Sequence, residues 1–73
     1  MNKVKIYTEF IKLGQFLKLE GIISNGSEAK LFLEEENVFI NNEKEVRRGR
    51  KLYNNDVIEV NKVQYIISND KDQ

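Results

Sequence analysis

Lys12-Leu13-Gly14-Gln15-Phe16-Leu17-Lys18 is the stretch where the spacing of apolar residues changes, and that change sets the fold class. Leu13, Phe16 and Leu17 stand at i, i+3 and i+4, as the buried stripe of a helix requires, while Lys12, Gln15 and Lys18 fall on another side. Upstream the period is two: Val4, Ile6, Thr8 and Phe10 alternate with Lys5, Tyr7 and Glu9, the pattern of a short strand with one covered face. A strand therefore leads into a helix that exposes two lysines.

Downstream, Gly21 is placed to close this helix in the left-handed conformation. Ser24-Asn25-Gly26-Ser27 follows as a polar loop, and Asn25 with Glu28 three residues later has the spacing of a capping box. A second helix is expected to run to about Glu36, burying Ala29, Phe32 and Leu33 and leaving Lys30 and Glu34 outside. The acidic run Glu34-Glu35-Glu36 then sits at the end where the helix dipole disfavours anions.

From Val38 the period returns to two. Val38-Phe39-Ile40 reads as a strand, Asn41-Asn42 as a tight turn, and the return arm ends near Val46. Past residues 47–51 come a turn at Asn54-Asn55-Asp56, a strand at Val57-Ile58-Glu59-Val60, a two-residue hairpin at Asn61-Lys62 and a closing strand over residues 63–68. The order is strand, two helices, then short antiparallel strands: an α+β domain with a helix pair on one side of a small, mainly antiparallel sheet. Phe10, Phe16, Phe32 and Phe39 occupy core-spaced positions and are assigned to packing.

Length and composition bound the rest. Seventy-three residues allow one domain, 1–73, and the sequence has no proline-rich linker and no internal repeat; residues 69–73 read as a frayed tail. With neither cysteine nor histidine, zinc-finger, iron–sulfur and thiol chemistry are excluded, as are nucleophilic triads that need an imidazole. No carboxylate pairing suggests acid–base catalysis, so no enzyme activity, cofactor, metal or small-molecule substrate is expected. The lack of cysteine, of a signal-peptide run and of any apolar stretch of membrane-spanning length points to a soluble, cytoplasmic protein with no membrane partner.

Charge supplies the functional signal. Between Lys44 and Lys51 stand five cations (Lys44, Arg47, Arg48, Arg50, Lys51) and one anion, Glu45, so this segment carries +4 while the whole chain is neutral. A compact basic patch on a neutral protein points to a polyanionic partner. The planar fork of arginine suits bidentate phosphate contacts, and Gly49 lets the backbone come close to a partner. Tyr53, beside the loop, is the aromatic placed for base stacking, and Asp56 is assigned to shaping its turn. The alternative is an interaction module that docks an acidic protein surface with the same basic loop.

These landmarks resemble the S4 RNA-binding domain, and more closely the short stand-alone S4-domain proteins of bacteria, the YaaA type. The resemblance covers roughly residues 11–67. It rests on Lys12-Leu13-Gly14-Gln15-Phe16-Leu17-Lys18, Ser27-Glu28-Ala29-Lys30-Leu31-Phe32-Leu33, Val38-Phe39-Ile40-Asn41, Asn55-Asp56-Val57-Ile58 and, above all, Arg47-Arg48-Gly49-Arg50-Lys51-Leu52. It implies the family's αL motif, in which two helices and a loop grip structured RNA, commonly ribosomal or transfer RNA. That face would comprise Lys12, Lys18, Lys30, Arg47, Arg48, Arg50 and Lys51, and the ribosome or its precursors become expected partners.

Three departures stand out. The family's first helix begins Arg-Leu-Asp, where this chain has Lys12-Leu13-Gly14 and so lacks a carboxylate that could orient a neighbouring cation. The glycine after the second helix is replaced by Glu36-Asn37 and the turn glycine before the late aspartate by Asn55, and asparagine is expected in both left-handed roles.

Overall fold

The computed structural model describes residues 1–69. The chain runs β1 (Asn2–Ile6), β2 (Phe10–Lys12), α1 (Leu13–Leu19), a 3-10 turn (Gly26–Glu28), α2 (Ala29–Glu35), β3 (Val38–Ile40), β4 (Glu43–Lys44), β5 (Lys51–Tyr53), β6 (Val57–Val60) and β7 (Val63–Asn69). Five strands form one sheet in the order β1-β7-β6-β3-β4, and β2 pairs with β5 in a separate two-stranded ribbon. All pairings are antiparallel except β1 with β7, which is parallel. The α+β class with two helices and a mainly antiparallel sheet holds.

Register explains the core. Val38 faces Val60, Ile40 faces Ile58, and Val4 faces Ile67, so alternate residues of four strands point to one face. Leu13, Phe16 and Leu17 of α1 and Ala29 and Leu33 of α2, all fully buried, close over the same cluster. Both helical stripes are those that the spacing predicts, and Phe32 packs against the cluster from its edge.

The hairpin turns also follow the sequence. Asn41 and Asn42 have φ of 52° and 73°, Asn61 and Lys62 have 50° and 71°, and Asn55 has 75°. Positive φ at both turn residues matches the right-handed twist of the flanking strands. Asp56 holds its turn, accepting from Tyr53 N at 2.7 Å and from Asn41 Nδ2 at 3.1 Å. Gly21, with φ of 73°, ends the turn after α1.

Several expectations are corrected. The first strand does not continue to Phe10: the chain leaves β1 at Ile6, Tyr7 and Thr8 are exposed, and Phe10 opens β2 in the other sheet. Thr8 Oγ1 donates to Phe10 O at 2.8 Å and Asn69 Nδ2 to Thr8 O at 2.8 Å, which fixes the crossing. The packed core consequently starts at Val4, upstream of residue 11. Phe10 and Phe39 lie outside the core cluster; Phe39 is flanked by the inward-facing Val38 and Ile40, so the strand period turns it to the opposite face.

At the start of α2, Asn25 Oδ1 accepts from Ser27 N at 3.1 Å, but Glu28 accepts from Ser24 N at 2.8 Å rather than from Asn25, a box shifted by one residue. Asn37 is not left-handed. Glu36 is already extended (φ −103°, ψ 156°), so the chain passes directly from α2 into β3, and Lys44 Nζ meets the helix end by donating to Glu36 O and Asn37 Oδ1 at 3.4 and 3.2 Å. Asn69, assigned to a frayed tail, belongs to β7 and pairs with Ile6, while residues 70–73 lie outside the described part. Among the described residues, no helix is long and apolar enough to cross a membrane.

Candidate nucleic-acid interface

The arginine loop is fastened to the start of α1. Leu13 N donates to Arg50 O and Gly14 N to Arg48 O, each at 2.8 Å, so two helix-start amides without intrahelical partners are satisfied by the loop. The approach is close but not closed to a side chain: a Cβ built at Gly14 would lie 3.4 Å from both Cβ and O of Arg48 and 3.6 Å from Cβ of Ala29, at van der Waals contact. The position where the family carries an aspartate is thus a close crossing of loop and helix. A branched side chain would push them apart.

The carboxylate missing from α1 is supplied by Glu45. Although its segment is read from sequence as a cation cluster with one stray anion, Glu45 is only 6% exposed and organises the loop. Its Oε2 accepts from Val46 N (3.1 Å), Arg47 N (3.0 Å) and Arg47 Nε (2.9 Å), and its Oε1 accepts from Arg47 Nη2 and Arg50 Nη1 (both 2.9 Å). Bidentate pairing with Arg47 is the geometry that fixes a guanidinium plane. The Arg47 guanidinium holds the Glu45 carboxyl down to about 2, against burial, which pushes it up, and Glu45 in turn raises Arg47.

Glu45 therefore pins two of the predicted phosphate ligands without using up their donors. A guanidinium carries five N–H groups, and the bonds to Glu45 occupy two of those on Arg47 and one on Arg50. The Arg47 side chain remains 71% exposed and that of Arg50 28%. The triad still carries a net charge of +1. Spacing held the signal for Glu45, an acid two and five residues ahead of arginines that a turn can fold back on it; charge counting alone passed over it.

The other cations divide. Arg48 and Gly49, with Lys12, Gly14, Gln15 and Gly26, line a groove of about 270 Å³ between the loop, α1 and the 3-10 turn. Lys51 lies opposite Lys12 across the β2–β5 ribbon, its Nζ 4.8 Å from the centroid of the Phe10 ring. Tyr53 pairs with Phe10 in the same ribbon, ring centroids 5.8 Å apart. Lys12 also borders a second, larger groove together with Lys18. Lys30 is exposed on α2, one residue beyond Ala29, and lines neither groove. Lys12 and Gln15, shared by both grooves, thus join Arg48 and Gly49 on one side to Lys18 on the other, while Lys51 lies across the ribbon from Lys12 and, like Lys30, lines neither groove.

The S4 domain family matches residues 4–68. The chain belongs to the S4 domain family. Its S4 domain is 54% identical over 59 residues to the probable ribosome maturation protein RlbA of Bacillus subtilis (strain 168), a match spanning 81% of this chain and 83% of that protein. No solved structure matches the chain. The S4 match begins at Val4, in agreement with the place of β1 in the core.

Proposed function

We propose that this S4 domain is a non-catalytic module that binds structured RNA, ribosomal or transfer RNA, by gripping phosphates with the arginine loop and the Lys12 edge of α1. The observation that carries this reading is the pair of 2.8 Å backbone bonds from Leu13 and Gly14 to Arg50 and Arg48, which hold Arg48, Gly49 and Lys12 around one groove. These bonds fix the backbone that carries the cations, and a guanidinium already held in place, as Glu45 holds those of Arg47 and Arg50, loses less side-chain freedom when a phosphate arrives. Arg47 and Arg50, steadied from behind by Glu45, extend the same grip.

A relative whose name places it in ribosome maturation supports the ribosome or its precursors as the setting, and with it the cytoplasm. Duplex RNA is recognised mainly through shape and phosphate geometry, which suits a surface made of cations and exposed backbone.

Fluorescence titration with a structured RNA at several salt concentrations tests the proposal. With four to six phosphates neutralised, log K is expected to fall against log salt with a slope of about −3 to −5. Arg48→Ala is the cleanest variant, because Arg48 takes no part in the Glu45 network, and it should reduce that slope by about one. Absence of RNA binding even at about 50 mM salt, where such contacts are strong, would sink the proposal and favour an acidic protein as the partner of the loop.

A further inference from the structure

We propose that the larger groove, which shares Lys12 and Gln15 with the groove of the arginine loop, seats one unpaired nucleobase, so that the preferred ligand is an RNA helix carrying a bulged or overhanging nucleotide rather than an unbroken duplex. The proposal rests on the RNA reading above and adds to it the kind of RNA. The groove measures about 830 Å³, within the roughly 300–1,000 Å³ of pockets that hold small organic groups. Phe10, Ile11 and Leu19 give it an apolar floor, and Lys12, Gln15 and Lys18 stand at its sides.

The floor is unusual for a protein surface. Leu19 is 59% exposed and Phe10 half-buried, and both line the one groove with Ile11 rather than being scattered singly. The Phe10 ring is braced from outside the groove by Tyr53, tilted at 50°, and by the Lys51 ammonium, neither of which lines it. A braced aromatic ring flanked by cations is the platform on which single nucleotides stack.

Charge selects the occupant. Lys12 and Gln15 line both grooves, so a backbone gripped at Arg48 and Gly49 can continue past Lys12 toward Lys18 without leaving the cationic rim. An acidic peptide would meet the same rim, but its short carboxylate side chains have no flat apolar face to lay on Phe10 and Leu19. An unbroken A-form helix keeps its base faces in the stack and offers the floor nothing. Gln15 already accepts from Lys12 N at 3.0 Å, which leaves its amide N–H groups to donate to a base edge. Glu9, also on the groove wall, repels phosphate and can accept from an exocyclic amino group, favouring entry base first.

The test uses two RNA hairpins that differ only by a one-nucleotide bulge carrying 2-aminopurine, titrated against the full chain. The bulged hairpin is expected to bind at least about fivefold tighter, the smallest effect of one stacked base, with a change in 2-aminopurine emission. Phe10→Leu and, at an exposed position that should not disturb folding, Leu19→Ser should both narrow the difference between the hairpins. Equal affinity for the two hairpins, or unchanged emission on binding, overturns the base groove while leaving phosphate-mediated RNA binding intact. Failure of both hairpins to bind at about 50 mM salt overturns the two readings together.

Discussion

The five-stranded sheet and the β2–β5 ribbon are held in shape by different means. Each hairpin of the sheet is closed by two adjacent residues, Asn41-Asn42 or Asn61-Lys62, whose positive φ sets the register locally. The ribbon joins strands some forty residues apart, and the loop that enters it takes its form from two amides of α1 and from one buried carboxylate. The sheet gains its stability from many buried apolar side chains. The loop depends on a few polar atoms in fixed places, which makes it both the more informative region for function and the more fragile.

The largest expected effect tests the first half of that contrast. Ile58, fully buried opposite Ile40 and Tyr65, should cost about 2–5 kcal/mol when replaced by alanine, measured by urea unfolding. Ile11→Ala, at a half-buried ribbon position opposite Leu52, should cost clearly less. Leu52 of the ribbon already belongs to the common core, so equal losses at the two positions would show that Ile11, at its edge, is packed as tightly as Ile58, and the contrast would fail.

A smaller effect sharpens the second half. Glu45→Gln is expected to lower stability by about 1–3 kcal/mol at neutral pH, the cost of weakening charge-assisted hydrogen bonds in a buried setting. The folded-state pKa of Glu45 lies below its ordinary value, so its contribution is complete above about 4.5 and is lost as pH falls toward about 2. The wild type and the variant should therefore converge across that window, and a difference that stays constant with pH would remove the carboxylate from its role. Although the substitution removes a negative charge and so raises the net charge by one, it should weaken RNA binding, because Arg47 and Arg50 lose their orientation. Tighter binding would mean that net charge, not placement, governs the loop.

The same contrast explains what could be read from sequence. Leu13, Phe16 and Leu17 declared a helix, and the asparagine pairs declared hairpins, because these signals are complete within a few residues. The end of β1 at Ile6 was not legible: the alternation runs on through Thr8 and Phe10, and the break depends on Asn69, sixty-one residues from Thr8. Phe10 looked like core for the same reason and is instead one wall of a surface groove. The cations of the site were visible as charge. Their division, with Lys44 turned to the end of α2, Arg47 and Arg50 on Glu45, and Arg48 left to the groove, follows from contacts that no local pattern encodes.

The smallest expected effect lies in the sheet and has the opposite sign. Lys62 sits at φ 71° in the hairpin between β6 and β7, a conformation that crowds any Cβ against the following carbonyl and that asparagine and glycine tolerate better. Lys62→Gly turns the pair into Asn-Gly, the preferred sequence for this turn, and relieves a strain on the order of 1 kcal/mol, partly offset by the greater freedom of glycine in the unfolded chain. A rise in stability of a few tenths to about 1 kcal/mol is expected, visible as a higher urea midpoint with unchanged m-value. Because the turn is closed by its own two residues, the gain should be the same in the Glu45→Gln background. Departure from additivity by more than about 0.5 kcal/mol would show that turn and loop are coupled, and that the sheet is less locally determined than its hairpins suggest.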